Sequence, residues 1–287
     1  MLNASFKYLL LVCFMTLLMG MNQEPILMNG DINDCGYSHD ETGLLAKGWK
    51  KIFEEQFDQK LSKWKIWNSG AYNHELQLYQ ASNLMIQDGL LAIEARKEQL
   101  VGVKFPKVKT IASFAYSSGR IESKQLFSIN KKHSKLRIMA RIKLPLGYGM
   151  WPAFWAYGTP YPSQGEIDFM EARGSEPKKY LTNFYEAKLD EGESEDHTAM
   201  IQVPTNLADC FHVYGMEWSK DVLISYFDGK LVDTKKNDPH IASLFEKRER
   251  LVLNLAVGGG FYPTLDSNKI QTGTMYIDWV KVYTSGN

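Results

Sequence analysis

The densest chemistry in this 287-residue chain lies in the run Gly165-Glu166-Ile167-Asp168-Phe169-Met170-Glu171. Side chains of an extended strand alternate faces, so Glu166 and Asp168 share one face while Ile167 and Phe169 turn to the other, toward a core. Glu171 has the wrong parity. One extra residue between Asp168 and Glu171, a β-bulge, returns it to the face of the other two. Carboxyl groups held this close push their pKa values apart, so that one keeps a proton to donate while another stays ionised and can attack. Glycoside hydrolysis needs such a pair, and its retaining form holds the two groups about 5–5.5 Å apart. Acids at i and i+2 alone also describe a solvated acidic strand, and it is the neighbouring sequence that argues for chemistry. Gly147-Tyr148-Gly149-Met150-Trp151-Pro152-Ala153-Phe154-Trp155 places two tryptophans just upstream. Their flat faces suit a sugar ring or a core equally well.

Elements that could position these residues recur to the end of the chain. In Leu136 to Leu144 the even positions are apolar, while Arg137, Arg141 and Lys143 share the opposite face, a period of two. Leu90 to Arg96 follows the turn signal Asp88-Gly89, and Ile224 to Phe227 runs through Asp228-Gly229 into Lys230-Leu231-Val232 as a hairpin. Leu251 to Val257 and Met275 to Tyr283 read as further strands, and the best helical stretch is a short one around Ser243 to Arg250. The pattern predicts an all-β chain, an antiparallel β-sandwich of the jelly-roll kind, as one domain over residues 48–285. Residues 22–47 form a polar lead-in. Residues 1–21, with Lys7 before the apolar run from Tyr8 to Met19, read as a secretory signal peptide. The run is short for a transmembrane span, although an uncleaved anchor stays open.

Charge narrows the partners. Lys plus Arg and Asp plus Glu each number 33, so no long-range field draws a polyanion, and the expectation is no nucleic acid and, once the signal is removed, no membrane. Seven Trp and fifteen Tyr suit a neutral, ring-bearing ligand better. Beyond the signal only Cys35 and Cys210 remain; they can pair in an oxidising compartment or stay free, and they outline no zinc site.

Several ordered motifs resemble glycoside hydrolase family 16, in its laminarinase-like, endo-β-1,3(4)-glucanase branch. They are Asn73-His74-Glu75-Leu76-Gln77-Leu78-Tyr79, Ser117-Ser118-Gly119-Arg120-Ile121, Gly149 to Trp155, Gly165 to Gly174, Phe227-Asp228-Gly229, Leu253 to Gly259 and Asp278 to Tyr283. The resemblance implies a concanavalin-like jelly roll with a concave cleft, Glu166 as nucleophile, Glu171 as general acid/base, and Asp168 between them tuning the nucleophile. It implies that Trp151, Trp155, Arg141, Asn73 and Asn183 contact sugar. The spacing of the acids is similar to that of β-1,3-glucanases. Phe184 stands where these usually carry a histidine, and Asn183-Phe184-Tyr185 is similar to a stretch of lichenase-like and xyloglucan-active members.

No cofactor is implied for the chemistry. A structural Ca2+ is implied on the convex side, through the Gly89 carbonyl and Asp278, with Gln56 replacing a nearby acid. The expected partner is a polysaccharide, a β-glucan, acted on by a monomer that is secreted or periplasmic. An endohydrolase or transglycosylase of agar-type galactan or xyloglucan, or a non-catalytic carbohydrate-binding protein, are the alternatives on the same scaffold.

Overall fold

A computed structural model describes residues 24–28, 35–161, 163–185, 197–236 and 238–285. The proposed signal peptide and the acidic segment from Glu186 to Asp196 lie outside the described residues. In chain order the strands begin with β1 (Ile26–Leu27), β2 (Lys50–Glu55), β3 (Trp64–Ile66), β4 (Gln77–Tyr79), β5 (Leu84–Gln87) and β6 (Leu90–Val103). Then come β7 (Ile111–Ser118), β8 (Arg120–Ser123), β9 (Lys135–Lys143), β10 (Met150–Gly158), β11 (Glu166–Glu171) and β12 (Lys179–Tyr185). The last are β13 (Ala199–Gln202), β14 (His212–Ser219), β15 (Val222–Phe227), β16 (Lys230–Lys236), β17 (Glu249–Val257) and β18 (Gly273–Ser285).

Among the described residues these strands form two sheets packed as a sandwich. One has eight strands in the order β1-β13-β12-β11-β10-β17-β8-β3; the other has ten, with β16-β15-β14-β9-β18-β6-β7-β4 as its path, β2 on β18 and β5 on β6. Alternation explains the core between them. Leu136, Ile138, Ala140 and Ile142 of β9 point inward, against Phe154 of β10, Ile167 of β11 and Leu253 and Leu255 of β17, all of them buried. Burying side chains of this size from both sheets is the main stabilising term for such a fold.

The lead-in is ordered where it is described. A short helix, α1 (Glu41–Ala46), is capped by the Asp40 side chain, which accepts from the Gly43 N–H at 2.8 Å. Its Leu44 packs with Met139, Val213 and Tyr283 on the outer face of the ten-stranded sheet. Cys35 is joined there to Cys210, with Cα atoms 5.2 Å apart, so the pairing left open by the sequence is made. The helix expected at Ser243 to Arg250 lies earlier, as α2 (Pro239–Ser243), because Glu249 already belongs to β17.

Candidate active site

The carboxylate run occupies β11, in the middle of the eight-stranded sheet. Gly165 opens it at φ +88°, and a Cβ there would stand 2.3 Å from Leu244 Cδ2, so both backbone and space require glycine. On the β12 side, Asp168 pairs with Asn183 and Glu171 with Leu181, so three steps on β11 oppose two on β12. On the β10 side, Trp155 pairs with Asp168 and Phe154 with Met170, leaving Phe169 as the additional residue. This is the bulge the parity argument demands. Ile167, Phe169 and Met170 all enter the core, and Glu166, Asp168 and Glu171 emerge on the opposite, outward face of the sheet.

Burial governs the electrostatics of these acids. It pushes Glu166 up to about 7, against opposing effects of a Tyr161 hydrogen bond and the Arg120 charge. Burial followed by repulsion from Glu166 likewise lifts Glu171 to about 7. Asp168, only 3% exposed, lies well above the usual carboxylate range through burial and then the charges of Glu166 and Glu171. It is hydrogen-bonded to Glu166, an interaction that lowers Glu166 and raises Asp168, as when Asp168 is the proton donor. The arrangement can hold one ionised carboxylate beside groups that retain protons near neutrality.

The tryptophans divide their work. Trp151 Nε1 donates to Glu171 Oε1 at 2.9 Å, while its ring stacks on Phe261 at 4.8 Å and is 6% exposed. A ring this buried has little face to offer a sugar, so the structure makes Trp151 an orienter of Glu171 rather than a platform. Trp155 is only partly buried and lies beside Asp168 in the register. Its Nε1 donates to Asn254 Oδ1 at 2.7 Å, and Asn254 Nδ2 donates to Tyr79 Oη at 3.2 Å. Tyr79 and Gln77 in turn donate to Glu75, which fixes the floor beneath Trp155. Asn183 sits opposite Asp168, its Oδ1 accepting from the Phe184 N–H at 2.8 Å, whereas Phe184 is core. Asn73 reaches the site through its backbone: its carbonyl accepts from Gly260 N–H at 2.7 Å beside Trp151, at φ +58°.

The Arg141 expectation is corrected. Arg141 belongs to β9 in the ten-stranded sheet, on the face away from the core, where Nη1 meets Asp278 Oδ2 at 2.6 Å. The alternation that placed Arg141 on a polar face was right, but that face is the outside of the other sheet and not the cleft. The same ion pair engages the carboxylate named in the calcium expectation, Asp278. Among the described residues no group of three or more His, Cys, Asp or Glu could hold a metal ion.

Several site residues were passed over in the sequence. Arg120 and Glu122, consecutive same-face residues of β8, form a buried pair at 2.8 Å, and Tyr157 Oη donates to Glu122 at 3.1 Å. The Arg120 guanidinium lies over the rings of Trp67 at 4.1 Å and Trp155 at 4.9 Å. Asn254 is the lone polar residue in Leu251 to Val257, and an isolated amide in an apolar strand was the available signal.

A sandwich whose outward sheet face carries three neighbouring carboxyl groups beside indole rings has the form of a glycoside hydrolase site. Residues 72–281 match the family model for glycosyl hydrolases family 16, and the chain belongs to that family. It is 31% identical over 273 residues to glucan endo-1,3-beta-glucosidase A1 of Niallia circulans, covering 84% of this chain but 39% of that protein. The glucan endo-1,3-beta-glucosidase of Cryptopygus antarcticus is 27% identical, with 87% of this chain and 95% of the relative covered. In three dimensions the chain superposes on the endo-beta-1,3-glucanase of Pyrococcus furiosus with a TM-score of 0.69 and 30% identity, over 82% of this chain and 94% of the other.

Proposed function

We propose that the protein is a retaining endohydrolase of β-1,3- or mixed β-1,3/1,4-glucan. Glu166 attacks the anomeric carbon while Glu171 protonates the leaving oxygen; the glycosyl-enzyme so formed is then opened by a water that Glu171, now ionised, deprotonates. Asp168 keeps its proton and donates a hydrogen bond to ionised Glu166, holding the nucleophile's charge in check until attack. The observation that carries the reading is the bulged β11, which brings the three acids to one face with Trp151 on Glu171. The glucan specificity is supported by the names of the relatives. Export fits the apolar N-terminal run and the Cys35–Cys210 pair.

The test is a panel of laminarin, barley β-glucan, agarose and xyloglucan, incubated with wild type and Glu166→Gln, with products resolved by size. Wild type alone is expected to release oligosaccharides from laminarin or barley glucan, initially with retained anomeric configuration. Products from Glu166→Gln at the wild-type rate would refute the nucleophile. Cleavage of agarose or xyloglucan only would move the substrate class, and no cleavage of any polymer would point to a binding protein.

A further inference from the structure

The cleft floor does not end at Trp155. Across the eight-stranded sheet from β10 to β3, Arg120 is layered between Trp155 and Trp67, the residue just after β3. Three strand spacings separate β10 from β3, about 15 Å of sheet. Beyond Trp67 the chain makes a loop pinned on both sides. Gly70 N–H donates to Val103 O at 2.8 Å, at the end of β6, and Asn73 O accepts from Gly260 N–H at 2.7 Å beside Trp151. Asn73 and His74 are both left-handed, at φ +58°, which closes the loop tightly.

Tyr72 stands on this loop. Its ring is parallel to Phe105 on the β6–β7 hairpin, with 5.3 Å between centroids and 3° between planes. Phe105 is the backing member: it is partly buried, with Lys104 Nζ 5.3 Å from its centroid. Tyr72 has one face on Phe105 yet remains 37% exposed, so what it offers is the other face and its edge. The residue after it, Asn73, is tied through its carbonyl to Gly260 beside Trp151, which holds Tyr72 at the rim of the cleft. Hairpins bury aromatics to hold themselves together, but an exposed ring stiffened by a second ring and pinned at the end of a line of aromatic groups has the form of a sugar platform.

We infer that Tyr72, backed by Phe105, is an outer subsite that stacks the apolar face of a sugar ring where the polysaccharide leaves the cleft past Trp67. This rests on the polysaccharide reading above and adds to it that the enzyme favours long chains. Stacking on one aromatic ring is worth about a fivefold effect.

The experiment compares wild type, Tyr72→Ala, Tyr72→Leu and Tyr72→Phe on the trisaccharide and heptasaccharide of laminarin. The kcat/KM ratio of hepta- to trisaccharide should fall about fivefold in Tyr72→Ala and Tyr72→Leu and return in Tyr72→Phe. Leucine keeps apolar packing on Phe105 without a flat face, so it reads the platform even if alanine loosens the loop. An unchanged ratio, or equal losses on both lengths, overturns the subsite. Should wild type cleave neither oligosaccharide, the β-1,3-glucan branch of the proposed function fails on its own. The platform is then read from mobility in gels containing each polysaccharide of the panel. Faster migration of Tyr72→Ala in a gel that retards wild type supports it; identical migration, or a wild type that no gel retards, overturns it.

Discussion

At the residue scale, the hydrogen bond from Trp151 to Glu171 tempers how the site responds to pH. The indole N–H stabilises ionised Glu171, and it opposes the burial and the repulsion from Glu166 that bring this carboxyl to about 7. Trp151→Phe removes the donor and keeps the stack on Phe261. A hydrogen bond to a charged group contributes about 1.5–3 kcal/mol, and one pKa unit corresponds to about 1.4 kcal/mol. Glu171 therefore rises by about one unit. Glu171, the proposed general acid, must be protonated to act, so the alkaline limb of the kcat/KM profile should move up by about one pH unit, with a lower maximum rate as the orientation of Glu171 relaxes. A limb that stays in place would separate Trp151 from the ionisation of Glu171. Glu166 and Asp168 titrate with Glu171, so the profile reports the cluster and not one group.

At the scale of the element, β11 is a strand that breaks its own alternation once. Phe169 is the extra residue, and both Phe169 and Met170 are inserted into the core. Deleting Phe169 leaves Glu-Ile-Asp-Met-Glu, in which strict alternation by itself keeps every acid on the outward face and gives Met170 the core position. The variant should therefore fold, with stability reduced by about 3–5 kcal/mol for a lost buried phenylalanine, as measured by denaturant unfolding. Its kcat should fall at least tenfold, because straightening the strand changes the reach of Glu171 relative to Glu166. Wild-type activity after deletion would mean that the bulge is not what sets the catalytic spacing.

Across the whole molecule, stability depends on a carboxyl group outside the cleft. Glu249 is fully buried at the start of β17, with neither carboxyl oxygen hydrogen-bonded. Burial, and then the charge of Glu166, pushes it up to about 9. The folded-state pKa is thus above the unfolded value. The folded protein keeps a proton that the unfolded chain gives up, so the contribution to stability is full below the usual glutamate range. It declines as pH rises from there to about 9. That window corresponds to a loss of several kcal/mol, on the order of 1.4 kcal/mol per pH unit. Glu249→Leu should raise the unfolding midpoint, by more at pH 8 than at pH 5, in a paired set of thermal melts. A pH-independent change would show that Glu249 is not protonated in the folded state.

Sequence by itself determined the features that follow from period and parity. The all-β class, the inward face of β9, and the need for a bulge between Asp168 and Glu171 were legible because alternation is local and leaves only two faces to choose from. Alternation cannot say which sheet a polar face belongs to, and so Arg141, correctly outward, was read into the cleft when it lies on the opposite side of the sandwich with Asp278. Nor can it say what stands across from a ring: Trp151 became an orienter of Glu171 only when Phe261 covered its face. Cys35 beside Cys210, and Tyr72 on Phe105, are pairings between segments distant in sequence. Each was decided by how two twisted sheets, packed through one core, bring their loops and strand ends together.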